Sequence, residues 1–263
     1  MSAPSTVSWF GLEADYPETG SRVFCLAHAG GNPRSLLAWQ RLVDPSVRII
    51  PVYLPGRAHR VDDPEPASLT ALADAVAEAI SGRADLPFQL FGHSFGALLA
   101  FEVARRLRHV PTLRTLVASG CSAPSRQPSD QVVRAAQVNG QEFATIVGSY
   151  GGLPPEILAD EELHRLLFPT LKTDVRLISR YQYRSAPPLT VDLVLVNGHD
   201  DPHVNVESLA PWADEFVTTP EVRWSPGGHF YFTDRPAALV EVFQRLRTEP
   251  GRPSGVEDHV ELI

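Results

Sequence analysis

Gly92-His93-Ser94-Phe95-Gly96 lies between the apolar run Phe88-Gln89-Leu90-Phe91 and the stretch Ala97-Leu98-Leu99-Ala100-Phe101. A strand passing straight into a helix through this pentapeptide carries Ser94 on a sharp elbow, with its hydroxyl exposed above the sheet. Such a turn has no room for a Cβ two residues before or after the serine, and both positions are glycine. The backbone amide of Phe95, at the start of the helix, would point at an oxyanion formed beside Ser94. The chemistry indicated is nucleophilic attack by a serine.

At neutral pH a serine hydroxyl is a weak nucleophile until a base takes its proton, and that base needs an acid to fix its tautomer. Two later segments can supply both: Gly198-His199-Asp200-Asp201-Pro202-His203-Val204 and Gly227-Gly228-His229. The chain order serine, aspartate, histidine is the one expected with this elbow, so His229 is read as the base. Asp201 is preferred over Asp200 as the acid. It fits the spacing Gly-x-x-Asp-x-x-Val and precedes Pro202, which biases it toward an extended backbone leaving a strand end. The alternative role for Asp200 is a turn acid that binds local amides. A second oxyanion donor is expected from Leu26-Ala27-His28-Ala29-Gly30-Gly31, whose small residues let the backbone approach a tetrahedral intermediate; the amide of Ala29 is the candidate. His28 is read as ordering that loop by hydrogen bonding, and His93 as structural. His199 and His203 are four residues apart, but Pro202 intervenes and no His-Glu-x-x-His pattern exists, so no metal is expected.

These groups must be carried by something that brings three loops together. Short apolar β-rich runs alternate with helical patterns, the signature of parallel strands joined by crossover helices. Strands are expected at Val23–Ala27, Arg48–Leu54, Phe88–Phe91, Leu113–Ala118, Val191–Val196 and Glu221–Trp224, and their near-continuous hydrophobicity suits an α/β sheet covered on both faces. Helices are expected at Ser35–Val43, Ser68–Ile80, Ala97–His109, Val206–Phe216 and Pro236–Thr248. Nucleophile, acid and base then all leave the carboxyl ends of parallel strands, on one edge of the sheet. The alternation breaks once, over residues 122–188, where helical stretches at Asp130–Val147 and Asp160–Tyr181 flank Gly151-Gly152-Leu153-Pro154-Pro155. An insertion there is expected to cover the strand ends as a lid. Residues 249–263, rich in Pro, Gly and acid, are expected to be flexible.

With 263 residues, 43% of them hydrophobic, the chain can bury one substantial core, so one catalytic domain is expected. A net charge of -8 argues against general affinity for nucleic acid or acidic membranes. Cys25 and Cys121 lie in or beside apolar runs and are read as buried, unpaired thiols of a reducing compartment. With no signal-like start and no membrane-length apolar run, the expected location is the cytoplasm.

Taken together, these residues resemble the type II thioesterases of polyketide and nonribosomal peptide biosynthesis, a branch of the α/β-hydrolase superfamily. The likeness runs from about Val23 to Arg247. It rests on His28-Ala29-Gly30-Gly31, Leu54-Pro55-Gly56-Arg57, GHSFGALLAFEVARRL, Gly151-Gly152-Leu153-Pro154-Pro155-Glu156, Leu171-Lys172-Thr173-Asp174-Val175-Arg176 and Pro226-Gly227-Gly228-His229-Phe230. The resemblance implies an α/β-hydrolase fold and hydrolysis of acyl groups from the phosphopantetheine thiol of an acyl- or peptidyl-carrier protein, clearing aberrant units from a synthase. It implies no cofactor, and a monomer is expected. Three positions depart from the family pattern: Phe95 where Met is frequent, which would narrow the pocket floor; Ala27 in place of Pro; and Ala58-His59-Arg60 where acids are common. Chain-terminating thioesterase domains usually place their acid directly after the strand following the nucleophile helix. Here Ser119-Gly120-Cys121-Ser122-Ala123 holds no carboxylate, and a stand-alone chain points the same way.

Two other readings stay open: a medium-chain fatty acyl thioesterase or carboxylesterase, and a catalytically silent α/β-hydrolase acting as a binding partner. Arg34, Arg57, Arg60, Arg126, Lys172, Arg176, Arg180 and Arg184 form either a basic rim for an acidic carrier or a set of solvated surface cations.

Overall fold

A computed structural model describes residues 7–11 and 20–245. After α1 (Val7–Phe10), the chain forms β1 (Ser21–Leu26), a 3₁₀ helix (Pro33–Arg41), β2 (Val47–Pro51), α2 (Leu69–Ser81), β3 (Phe88–His93), α3 (Phe95–Arg106) and β4 (Leu113–Ser119). Four helices follow: α4 (Asp130–Gln137), α5 (Gly140–Gly148), α6 (Pro155–Ala159) and α7 (Glu161–Ser179). The sheet resumes with β5 (Asp192–Gly198), α8 (Val206–Leu209), a 3₁₀ turn (Ala210–Glu215), β6 (Glu221–Ser225) and α9 (Ala237–Gln244). The expected tail 249–263, and the end of the helix expected over Pro236–Thr248, lie outside the described residues.

The six strands are parallel and ordered β2-β1-β3-β4-β5-β6. Alternate residues of one strand feed different cores: Phe24 and Leu26 of β1 pack with α2 and α3, whereas Val23 and Cys25 pack with Trp39 and Phe243 on the opposite face. Both faces are therefore covered, which is why β3 is buried along its whole length. Helix α2 starts where the Ser68 hydroxyl accepts from the Ala71 amide at 3.0 Å, and it buries Leu69, Leu72, Val76 and Ile80 along one stripe. Among the described residues no helix is long and apolar enough to cross a membrane.

Four expectations need correction. The helix expected at Ser35–Val43 is a 3₁₀ helix, Pro33–Arg41, whose buried residues Pro33, Leu36 and Trp39 recur every third position and so align at three residues per turn. The helix expected at Val206–Phe216 breaks into α8 and a 3₁₀ turn because Pro211 lacks an amide hydrogen and crowds the preceding turn. The stretch Asp130–Val147 is two helices, α4 and α5, divided at Val138-Asn139 with Gly140 at φ +54°. The second strand stops at Pro51 instead of Leu54. Helix α7, by contrast, passes through Pro169, and its start is capped by Asp160, which accepts from Glu162 and Leu163 amides at 2.7 and 3.2 Å. Helices α4 to α7 share a small core of their own around Phe143, Ala144, Phe168 and Val175.

The turn from β3 into α3 is the tightest point in the fold. Ser94 has φ 54° and ψ −116°. A Cβ at Gly92 would sit 2.0 Å from the Gly96 carbonyl oxygen, and one at Gly96 would sit 2.2 Å from the Leu26 carbonyl oxygen at the end of β1. Both obstacles are backbone, which cannot swing aside. We predict that Gly92→Ala lowers stability by at least about 1–3 kcal/mol, the usual cost of overpacking; urea unfolding monitored by circular dichroism would show it as an earlier midpoint.

Candidate active site

β2 lies on one side of β1 and β3 on the other, so the loops leaving β1 and β3 diverge and open a crevice at the carboxyl edge of the sheet. The segment His28-Ala29-Gly30 follows β1, and Ser94 follows β3. Asp201 leaves β5 and His229 leaves β6, so four loops from one edge bring these residues together. His28, Ala29, Ser94 and His229 line a single cavity of about 250 Å3. Its remaining walls are mostly apolar and come from α4, α5 and α7, with Val132, Val147, Leu171 and Val175 among them.

The His229 Nδ1 is 2.7 Å from Asp201 Oδ2, and both side chains are buried. A carboxylate at that nitrogen holds the proton on Nδ1 and leaves the Nε2 lone pair free. The other Asp201 oxygen accepts the His203 amide at 2.9 Å, which fixes the carboxylate from behind. Asp200 is exposed; its amide donates to the Gly227 carbonyl at 2.9 Å, and its carboxylate accepts no hydrogen bond among the described residues. Of the two candidate acids, Asp201 is the one that meets the histidine. The turn role expected of the Asp200 side chain is not present.

Among the described residues neither the Ala29 nor the Phe95 amide donates a hydrogen bond, so both candidate oxyanion donors are available. The Phe95 ring corrects an expectation. It is buried in the core under α2 and α3 and takes no part in lining the cavity, so it does not form the pocket floor. Residue 95 begins a helix, and its side chain joins the buried core while its backbone amide directly follows Ser94.

Four imidazoles cluster here, His28, His93, His203 and His229, with the His203 ring 6.1 Å from that of His229. The His93 ring lies 4.6 Å from that of His229 and 6.1 Å from that of His28. His93 Nδ1 joins a buried chain through Ser119 Oγ at 2.9 Å, the Tyr231 hydroxyl at 2.8 Å and the Val196 carbonyl at 3.3 Å. Because that carbonyl can only accept, Tyr231 donates to it, Ser119 donates to Tyr231, and His93 must donate from Nδ1. Its Nε2 is buried without a partner among the described residues. Burial, reinforced by the neighbouring His229 and His28, holds His93 well below the usual histidine range. His28 was expected to order its loop by hydrogen bonding; instead its ring packs edge-on against Phe230 at 4.8 Å. Burial, with smaller contributions from His229 and Arg57, lowers its pKa to about 4. Both rings are neutral at pH 7.

Sequence reasoning missed two contributors. Tyr150, between α5 and α6, stacks on His203 with centroids 3.7 Å apart and meets the edge of His229 at 5.1 Å; nothing marks it in sequence beyond its place before Gly151-Gly152. Arg57, a candidate rim cation in sequence, is buried in an ion pair with Asp174 of α7, its Nη2 donating to both carboxylate oxygens at 2.7 and 2.9 Å. Arg60 is buried too and bonds Asp63 and the Tyr53 carbonyl. Of the expected rim, Lys172 bonds Asn139 and Arg176 pairs with Glu65, while Arg34, Arg126, Arg180 and Arg184 are exposed. The two cysteines are buried and unpaired, and burial pushes the Cys121 thiol up to about 12. His199 stacks on Trp224, away from His203, so the two rings have separate neighbours.

A parallel sheet wrapped by helices on both faces, with a serine elbow and an acid–histidine pair at its carboxyl edge, defines an α/β-hydrolase. The chain belongs to the thioesterase domain family, whose model matches residues 21–247, and it is a hydrolase acting on thioesters. It is 33% identical over 226 residues to the thioesterase PikA5 of Streptomyces venezuelae, covering 83% of this chain and 78% of that protein. Among solved structures it is similar to the type II thioesterase BorB from the borrelidin biosynthetic cluster, with a TM-score of 0.81 and 28% identity, covering 91% of this chain and 97% of that one. It is also similar to the RedJ thioesterase from the prodiginine pathway of Streptomyces coelicolor, with a TM-score of 0.79 and 27% identity over 92% of this chain and all of that one.

The lowered histidines carry a pH consequence. A histidine near pKa 4 in the fold and about 6.5 in the unfolded chain stabilises the fold fully above pH 6.5, and that contribution is lost as the pH falls toward 4. Between pH 7 and pH 5 the loss through His28 alone is about 2 kcal/mol. We predict that His28→Gln shrinks the drop in unfolding free energy between these two pH values by up to that amount, measured by urea titration at each.

Proposed function

We propose that this protein is a type II thioesterase that hydrolyses acyl groups from the phosphopantetheine thiol of acyl- or peptidyl-carrier proteins, clearing aberrant units from a polyketide or nonribosomal peptide synthase in the cytoplasm. Ser94 is the nucleophile, His229 the base and Asp201 the acid that orients it. The observation that carries this reading is the sharing of one apolar cavity by Ser94 and a His229 whose Nδ1 is tied to a buried carboxylate.

In the first half-reaction His229 takes the Ser94 proton through Nε2 as Oγ attacks the thioester carbonyl. The oxyanion is held by the Ala29 and Phe95 amides. Its collapse expels the pantetheine thiol, which takes the proton back from His229. Water, deprotonated by His229, then attacks the acyl-enzyme and releases the free acid and the Ser94 hydroxyl. The acyl chain lies among α4, α5 and α7, which act as a lid inserted in a single, monomeric hydrolase domain, and the exposed Arg34, Arg126, Arg180 and Arg184 meet the acidic carrier.

Ser94→Ala is expected to lower kcat for an acyl-carrier substrate by more than about 1,000-fold with unchanged thermal unfolding. A fully active variant would overturn the mechanism, and a wild-type protein that binds carrier without turnover would establish the silent-partner reading instead. Carrier-bound acyl thioesters should be hydrolysed well ahead of acyl thioesters of small free thiols and of simple esters; a wide preference for esters would assign a carboxylesterase. Asp201→Asn should cost about 10,000-fold in kcat, the scale known for a triad acid changed to its amide. Asp200→Asn should leave steady-state kinetics near wild type, and the reverse ranking would show the acid to be Asp200.

A further inference from the structure

The oxyanion loop has almost no side chains with which to hold itself. From Ala27 to Gly31 it offers two alanines, two glycines and His28, and its one internal tie is the Gly31 amide to the His28 carbonyl at 2.9 Å. Gly30 stands at φ +69°, a conformation that nothing local enforces. The restraint comes from elsewhere in the chain. Asp174 Oδ2 accepts the Gly30 amide at 2.7 Å while the same carboxylate takes both contacts from Arg57 Nη2. Arg57 Nη1 in turn reaches the Gly31 carbonyl at 3.5 Å, so the ion pair brackets the Gly30-Gly31 segment with an acceptor at one end and a donor at the other.

Asp174 is only 1% exposed and Arg57 8%, so the ion pair that holds the Gly30 amide is shut away from water. It also belongs to α7, the helix that contributes Phe168, Leu171, Val175 and Ile178 to the cavity wall. A second tie links α7 to the loop after β2: the Thr170 hydroxyl donates to the Gly56 carbonyl at 2.8 Å, next to Arg57. A Cβ at Gly30 would lie 2.9 Å from the Leu171 Cβ, so loop and helix are in direct contact as well.

We propose that Asp174 is a positioning residue for the reaction: by holding the Gly30 amide, with Arg57 as its counter-ion, it fixes the peptide next to Ala29 and so aims the Ala29 amide at the oxyanion. This inference rests on the reading of Ala29 as an oxyanion donor. Its further consequence is mechanical: the helix that touches the acyl chain is the one that sets the donor, so the seating of the chain and the stabilisation of the transition state share one support. Asp174 acts on kcat through the loop and does not itself touch the substrate.

The test compares two double variants in which the buried charges are removed together, because deleting one partner alone strands the other. Arg57→Met with Asp174→Asn keeps an oxygen acceptor for Gly30; Arg57→Met with Asp174→Leu removes it at similar volume. With an octanoyl thioester, the asparagine double variant should retain kcat within about 5-fold of wild type. The leucine double variant should lose roughly 100-fold in kcat, the scale of one oxyanion donor, with KM within about 2-fold. Equal kcat in the two folded variants, or a loss confined to KM, would overturn the proposal and leave the pair as a support of the cavity wall alone. Amide hydrogen exchange of wild-type Gly30 gives a readout independent of turnover and of variant folding: slow exchange is expected, and exchange as fast as in an open loop would overturn the clamp. A wild-type enzyme inactive on thioesters would sink the proposed function, while the Gly30 exchange rate would still judge the clamp.

Discussion

The fold hangs on a contact between backbones. Gly92, at the end of β3, packs against the first turn of α3, and Gly96 of that turn packs against the Leu26 and Ala27 carbonyls at the end of β1. Ser94 is held between them in a backbone conformation that costs of order 1–3 kcal/mol wherever a non-glycine residue adopts it. Parallel pairing over-determines that strain: Leu26 is in register with Gly92, the Ser94 amide donates to the Ser119 carbonyl at 2.8 Å, and the Gly120 amide continues to the Val196 carbonyl at 3.1 Å. The ends of β1, β3, β4 and β5 are thereby locked in sequence. The elbow and the loop after β1 are positioned by one shared contact, and neither can shift without the other.

Around that frame the electrostatics are arranged by exclusion of water. Two buried carboxylates stand near the cavity, and each has a dedicated partner: Asp201 has His229 and the His203 amide, Asp174 has Arg57 and the Gly30 amide. Burial holds His28 and His93 below the usual histidine range, and His203 beside them is lowered by partial burial as well. In the proposed reading a neutral His93 beside His229 matters, because a second imidazolium 4.6 Å away would oppose the charge that a base at His229 takes up.

The strands were legible in sequence because a parallel sheet covered on both faces demands continuous apolar runs, and the elbow because its local geometry demands glycines at fixed spacing. The meeting of Asp201 and His229 near Ser94 could be read from chain order, since strand ends of a parallel sheet share an edge. What could not be read depends on direction or distance. The Phe95 ring was assigned to the pocket because spacing says where a residue lies and not which way a helix start turns its side chain. Arg57 and Asp174 are 117 residues apart, and only their meeting in the fold distinguishes a buried clamp from two surface charges. The 3₁₀ helix at Pro33–Arg41 shows the same limit: its apolar positions fit helical spacing, while burial at every third residue appears only once the neighbours are known.

The inserted helices form a cluster around Phe143 and Phe168 that is separate from the two cores of the sheet. Helix α7 bridges the two: Phe168 and Val175 join the helical cluster, while Leu177 and Ile178 join the core shared with α2 and α3. Polar ties between these helices and the rest of the chain include Asp174 to the loop after β1, Thr170 to the loop after β2 and Arg176 to Glu65, and Tyr150 packs against His203 and His229. Helices α4 and α5 supply apolar wall through Val132, Ala135, Ile146 and Val147. In the proposed reading, selectivity among acyl chains is set by how α4 and α5 pack around the chain.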